Sequence, residues 1–322
     1  MPDPGGAYTN WEQAAVTIQD AVNAAAVNDT VWVGAGHYDA PTIPSNCYGP
    51  SVVVISRAIT LRSSNGVPDS TIIDGGGLYR GLAIRTLGNT TNVFVVDGFT
   101  FTNGWSTKAL ITDCVFQGNR ELRTAININN GGGVMYASNG RHTFRNTLMY
   151  NNGTAGNSGG ALYTFVSSGG DPSYCVLTLI NCTLVGHSVG GGIHARRSNW
   201  TLTVSNSIVY SNVPNFTGNA ASMGPGGAVT NLFIYYSCTV TNGLSGTFPA
   251  SNTTNNPAFV NDAANDFQLS PGSPCINTGT NQAWMNEALD LDKHARLDRF
   301  SGKADMGCYE YQPRSMTFKL MD

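Results

Sequence analysis

Charge is scarce in this chain: Asp, Glu, Lys and Arg make up 11% of its 322 residues, and the formal net charge is −3. That balance offers no field to draw the protein to nucleic acid or to an anionic membrane. Long apolar runs are missing too, so no segment is fit to span a bilayer as a helix. The opening Met1-Pro2-Asp3-Pro4 lacks the basic and apolar regions of a secretory leader; any export signal is expected to have been trimmed. The histidines and cysteines fall in no spacing that reads as a zinc site.

What is present is a short recurring phrase: a polar residue, a small one, any residue, an apolar one, two more, then Asn or His. It runs from Asp113-Cys114 to Asn119, from Asn146-Thr147 to Asn152, from Asn181-Cys182 to His187 and from Asn206-Ser207 to Asn212. A shortened copy, Ser237-Cys238-Thr239-Val240, ends at Asn242. The small residues Cys114, Thr147, Cys182, Ser207 and Cys238 follow one another at 33, 35, 25 and 31 positions. A period of this size, built from short β-rich pieces between Gly and Asn, marks a solenoid with one coil per unit. Its irregularity excludes helical repeats, whereas a β-coil can lengthen between strands that stay in register.

Alternating runs precede the phrase, as in Val176-Leu177-Thr178-Leu179 and Thr201-Leu202-Thr203-Val204, with one face for the interior. Glycine clusters at 131–133, 159–160, 190–192 and 226–227 come just before a strand, where positive φ is expected. The fold class is therefore all-β: a right-handed parallel β-helix. Low charge suits it, because stacked coils place like residue over like and repeated charges would repel. Residues 1–29 read as an N-terminal cap, 30–245 as the coils and 246–322 as an irregular C-terminal tail packed on them. In the cap, Asn10 is expected to start a helix reaching Ala26, with Trp11, Ala15, Ile18, Val22 and Ala25 as its apolar stripe. Phe99 precedes Cys114 by only 15 positions, which predicts an abbreviated coil.

Several segments carry a family resemblance. They are Tyr8-Thr9-Asn10-Trp11 through Val22, Gly34-Ala35-Gly36-His37-Tyr38, Ile72-Ile73-Asp74-Gly75-Gly76, and, near the end, Asp266 to Ile276 and Ala304 to Tyr311. The chain resembles bacterial exported right-handed parallel β-helix proteins of the pectate-lyase-like superfamily. Its ending looks like the choice-of-anchor C-terminal module of many such proteins. The resemblance implies an extracellular or cell-surface location and a polysaccharide or glycan partner. The superfamily holds lyases, hydrolases, adhesins and fibres, so the fold alone does not name an activity.

Cys114, Cys182 and Cys238 share a slot with Thr147 and Ser207, and are expected to pack inward with Cys175 as small apolar residues. Cys275 and Cys308 lie in the irregular tail, where an exported protein has the option of bridging them. Cys47 is left over. His187 takes the place of Asn at the end of the phrase and should serve that turn, and His37 reads as structural.

His194 stands out, in Gly192-Ile193-His194-Ala195-Arg196-Arg197. With Ile193 and Ala195 inward, His194 and Arg196 face out, at positions that correspond to Met135, Leu162 and Val229 on other coils. A His and an Arg pair thus interrupt an apolar column; a solvated strand edge, or cover under a loop, is the plainer alternative. In the lyases of the resembled superfamily a basic side chain removes the proton α to a uronate carboxylate, which calcium or other basic groups neutralise. The resemblance makes His194, Arg196 and Arg197 the candidate catalytic group and Arg141, His142 and Arg145 the carboxylate binders. Tyr163, like Trp105, Tyr136 and Trp200, is either a sugar platform or core. Outward carboxylates are few (Asp74, Asp97, Asp113, Asp171), none paired within a strand, and the glycosidase signatures and lyase Lys/Arg motifs are absent. Three readings follow: a polysaccharide enzyme working by β-elimination, a non-catalytic glycan-binding surface protein, and a self-assembling fibre subunit.

Overall fold

The computed structural model describes residues 10–41, 51–76, 79–84, 94–102, 110–121, 133–138, 141–154, 161–165, 176–187, 191–196, 201–213, 215–218, 231–240 and 249–313. Its coils wind through parallel sheets. The first sheet stacks eight strands, from Thr30–Val33 through Thr60–Ser63, Val95–Asp97, Leu110–Thr112, Arg141–Arg145, Val176–Ile180 and Thr201–Ser205 to Asn231–Tyr235. The second stacks Gly36–Tyr38, Thr71–Asp74, Thr100–Thr102, Val115–Gln117, Leu148–Tyr150, Thr183–Val185, Ile208–Tyr210 and Cys238–Thr239. A third face carries Met135–Ser138, Leu162–Phe165, Ile193–Arg196 and Phe216–Gly218, with Ser51–Ile55 paired to Arg80–Ile84 nearer the start. This is a parallel β-helix. The abbreviated coil is present: Val95–Asp97 and Thr100–Thr102 pair directly with Leu110–Thr112 and Val115–Gln117.

The phrase has a mechanical explanation. Its first residue turns the chain between the first and second sheets in the left-handed region, with φ of 51° at Asp113, 49° at Asn146 and Asn181, and 50° at Asn206. Asn and Asp tolerate that region better than other side chains. The small residue next to it points into the core, and Cys114, Thr147, Cys182 and Ser207 are all fully buried. The terminal Asn or His then forms an internal ladder. Asn119 donates to Asn152 Oδ1 at 2.9 Å, Asn152 Nδ2 meets His187 Nε2 at 3.2 Å, and His187 Nδ1 meets Asn212 Oδ1 at 2.6 Å.

One copy is out of step with the sequence reading. Cys238 pairs in register with Ile208, and the Ser237 hydroxyl accepts from Ser207 N, so Ser237 holds the small slot and Tyr236 takes the positive φ of 48°. Cys238 therefore faces outward onto the tail, not into the coil. The glycine clusters also work differently from expectation. Gly191 has positive φ, but at Gly133 and Gly192 the constraint is space: a Cβ would lie 2.5 Å from Asn119 O and 2.8 Å from Asn215 O, respectively. Cys47 and Cys175 lie outside the described residues.

Both ends of the stack are dressed by side-chain amides. The N-terminal helix covers only Ile18–Ala24, capped by Thr17, whose Oγ1 accepts from Asp20 N at 3.1 Å. Asn10 instead closes a separate turn on Gln13 N, which leaves Trp11 61% exposed and outside the apolar stripe. Gln19 copies a missing strand: its amide accepts from Val54 N at 2.7 Å and donates to Val54 O at 3.1 Å. At the other end Asn252 accepts from Ser237 N and donates to Ile234 O, while Thr253 bridges the last rung. Such groups satisfy backbone that would otherwise be an open edge.

The remaining tail lies across the outer face of the second sheet. Val115, Leu148 and Val185 pack with Phe267, Leu291 and Cys308; Ile208 and Cys238 pack with Leu269, Cys275 and Met306. The left-handed asparagines act a second time here: Asn146 donates to Leu289 O, Asn181 to Asp305 O and Asn206 to Thr280 O. Gly307, at φ 96°, passes so close that a Cβ would sit 2.8 Å from Thr183 Oγ1. Inside the tail Arg296 is fully buried, paired with Glu310 at 2.9 Å and donating to Gly307 O at 3.0 Å. Cys275 and Cys308 fall in these two different clusters and are free thiols, so the bridge between them is not made.

Candidate functional site

The sequence-predicted residues separate onto different faces. His194 lies on the third face, where register aligns it with Tyr163 on the preceding coil. Their rings stack at 4.9 Å between centroids and 2° between planes. Met135 and Leu162 align with Ile193, one position away, and point into the core. The apolar column that His194 was expected to interrupt is thus an interior column, and His194 belongs to its own aromatic row. Tyr163 is 1% exposed, and His194 9%, so neither presents a ring face to solvent. Arg196 ends the strand opposite Phe165; the side chain of Arg196, and Arg197, lie outside the described residues, as do Trp105, Asp171 and Trp200.

Arg141, His142 and Arg145 share a first-sheet strand, away from the third face. His142 pairs in register with Leu177 and Leu202 in the inward column and is 2% exposed, which removes it from any surface role. Arg141 is exposed. Arg145 is half-buried, and its guanidinium lies over the Trp284 ring of the tail at 4.8 Å.

That last contact opens onto a cleft the sequence did not reveal. It encloses about 320 Å³ between the first sheet and the tail, and its walls include Asp97, Asp113, Arg145, Trp284, Leu289 and Lys293. Two of these wall residues, Asp97 and Arg145, belong to one outward row of the first sheet, in which Trp32, Arg62, Asp97, Thr112 and Arg145 stand on successive coils. Arg62 lies over Trp32 at 5.5 Å and donates to Asp97 Oδ2 at 2.7 Å. Thr112 donates to Asp113 Oδ2 at 2.7 Å, Asn146 donates to the other oxygen of Asp113, and Arg145 Nε reaches Thr112 Oγ1 at 3.4 Å. From the tail, Lys293 donates to Gly66 O, and the Trp284 indole is fixed by Gln282 Oε1 at 3.0 Å.

Burial raises the Asp97 carboxyl above its ordinary value, and the nearby Asp113 charge adds to this; Arg62 and Lys293 pull the other way. Asp97 and Asp113 are a carboxylate pair formed across coils. The signal was present in the phrase, since Asp97, Thr112 and Arg145 each stand two residues before an inward slot (Phe99, Cys114, Thr147). Trp284 and Lys293 had no such signal. Among the described residues no group of three or more His, Cys, Asp or Glu side chains comes together.

No protein-family model matches the chain, and no curated protein matches it. Among the described residues no helix is long and apolar enough to cross a membrane.

Proposed function

We propose that this protein is an extracellular glycan-binding β-helix of the pectate-lyase-like kind, which takes its ligand in the cleft between the first sheet and the tail. The observation that carries this is the Arg145–Trp284 stack standing beside the Asp97 and Asp113 carboxylates. An indole offers an apolar face to a sugar ring, while paired charges give hydroxyls both donors and acceptors. Three cations (Arg62, Arg145, Lys293) against two carboxylates also leave room for an acidic sugar. Closure of the described stack edges by Gln19, Asn252 and Thr253 weighs against a fibre built through open ends.

The carboxylate pair favours a second reading, hydrolysis of a glycosidic bond, with Asp97 of raised pKa as the acid and Asp113 as its partner. The β-elimination reading, with His194, Arg196 and Arg197, rests on the superfamily resemblance alone, because the interrupted column is absent. The test is binding of neutral and acidic polysaccharides by affinity electrophoresis, comparing the native protein with Trp284→Ala. Loss of the stacking face should weaken binding about tenfold. Unchanged binding by Trp284→Ala would remove the cleft as the glycan site. Reducing ends released by the native protein and not by Asp97→Asn would establish hydrolysis. An unsaturated uronate chromophore lost in Arg196→Ala would establish elimination at the third face instead.

A further inference from the structure

The one-residue shift in the last coil has placed a cysteine where the preceding coils carry Val, Leu, Thr and Ile. Along the outward row of the second sheet, Val115, Leu148, Thr183 and Ile208 are followed by Cys238. Against it the tail sets Cys275, and the two share one dry cluster with Ile208, Leu269 and Met306. Both are fully buried. The Cys238 thiol donates to Asn255 O at 3.2 Å, and Cys238 stands near enough to push the Cys275 thiol pKa up.

The two thiols belong to segments 37 positions apart and meet in this one small buried cluster, and a bond between them requires their Cα atoms to come within about 7 Å. The other described cysteines are placed differently. Cys114 and Cys182 point into the coil interior, and Cys308 belongs to the separate cluster around Leu148 and Leu291.

We infer that Cys238 and Cys275 are a disulfide-forming pair that covalently fastens the C-terminal tail to the final coil under oxidising conditions. The chemistry is thiol–disulfide exchange with a small disulfide such as oxidised glutathione. One protein thiolate attacks a glutathione sulfur and expels glutathione thiolate, giving a mixed disulfide. The second protein thiolate then attacks the protein sulfur of that mixed disulfide and expels the other glutathione. The protein loses two protons and two electrons, and the oxidant becomes two molecules of reduced glutathione.

Timing follows from burial. Contact with Cys238 and the dry surroundings both push the Cys275 thiol up, so the docked form holds little thiolate and admits no oxidant. The bond forms before the tail docks or while it is lifted, and the docked tail then protects it from reduction. Such a pair makes the attachment of the tail depend on the redox poise in which the chain folds.

The full chain, unfolded and refolded in a mixture of oxidised and reduced glutathione, would be quenched in acid with a thiol-alkylating reagent and digested with pepsin. Pepsin is required because no Lys or Arg separates Cys238 from Cys275. The expected product is a pair of peptides carrying Cys238 and Cys275, two hydrogens lighter than their sum and separated by reduction, with Cys114, Cys182 and Cys308 alkylated. Alkylation of both Cys238 and Cys275, or a link from either to another cysteine, would overturn the inference. In Cys275→Ser the linked species should vanish and Cys238 should become alkylated, while proteolysis of the tail should speed up severalfold relative to the oxidised native chain. Equal cleavage rates would show that the bond does not fasten the tail. If that variant does not fold, the peptide map of the unaltered chain, before and after reduction, still decides the pairing.

Discussion

His187→Asn should remove a penalty that the native protein meets in mild acid. The imidazole is fully buried between two amides. Asn212 donates its Nδ2 to Leu184 O and to Asn215 Oδ1, so its Oδ1 is an acceptor and His187 Nδ1 must carry the hydrogen. On the other side Asn152 Nδ2 donates to Phe116 O and meets His187 Nε2, which accepts. The neutral tautomer is satisfied at both nitrogens, and a second proton on Nε2 would set donor against donor. Burial accordingly lowers the His187 pKa from 6.5 to about 4, against a smaller opposing effect of Asn212. A depressed pKa leaves stability intact above the unfolded value and removes it as pH falls toward the folded one. Between pH 7.5 and pH 5.0 the loss from this one group is about 2 kcal/mol. Asn, the residue of neighbouring coils, carries no such proton. Urea denaturation of both proteins at the two pH values should show the stability of His187→Asn gaining about 2 kcal/mol relative to the native chain on acidification. A difference that stays constant with pH would refute this account, because all other titrating groups cancel in the comparison.

Two further outcomes concern the tail. Arg296→Met leaves the buried Glu310 carboxyl without its hydrogen-bond partner, which typically costs about 1–3 kcal/mol, and should expose the tail to limited proteolysis; the double variant with Glu310→Gln should recover part of the loss. Burial raises Asp305 to about 6 and Glu310 to about 9, with Arg296 opposing both. Stability from carboxyls raised in this way is present at low pH and lost as pH climbs through the folded values. The tail should therefore resist proteolysis better near pH 5.5 than near pH 9, measured with a protease active at both and corrected for its rate on an unfolded substrate.

The coils were legible because each rung repeats the same local problem. A left-handed turn wants Asn, the next position has room for a small side chain, and the interior ladder wants an amide; Asn146-Thr147 through Asn152 answers all three in seven residues. Register between rungs was less legible. The eye aligned Cys238 with Ser207, and His194 with Leu162, yet one residue inserted or dropped in a turn moves a side chain to the opposite face. The short helix shows a local competition: Asn10 satisfies Gln13 N in a turn of its own, and the helix starts only where Thr17 can cap it. The cleft was least legible of all. Arg145 and Trp284 meet only because Asn146, Asn181 and Asn206 hold the tail by carbonyls 143, 124 and 74 positions away, and those contacts follow no period.

Those three asparagines also decide how the rod would respond to force. A solenoid pulled from its last coil peels rung by rung, since each coil holds only its neighbours. Here the tail spans the rungs, gripping Asn146, Asn181 and Asn206 on three consecutive coils and reaching Gly66 through Lys293. Tension on one coil is thereby shared with the others under the strap. The coils from Gly66 onward should yield as a single block with one rupture event, while the first coil, beyond the reach of the strap, is left to unzip on its own.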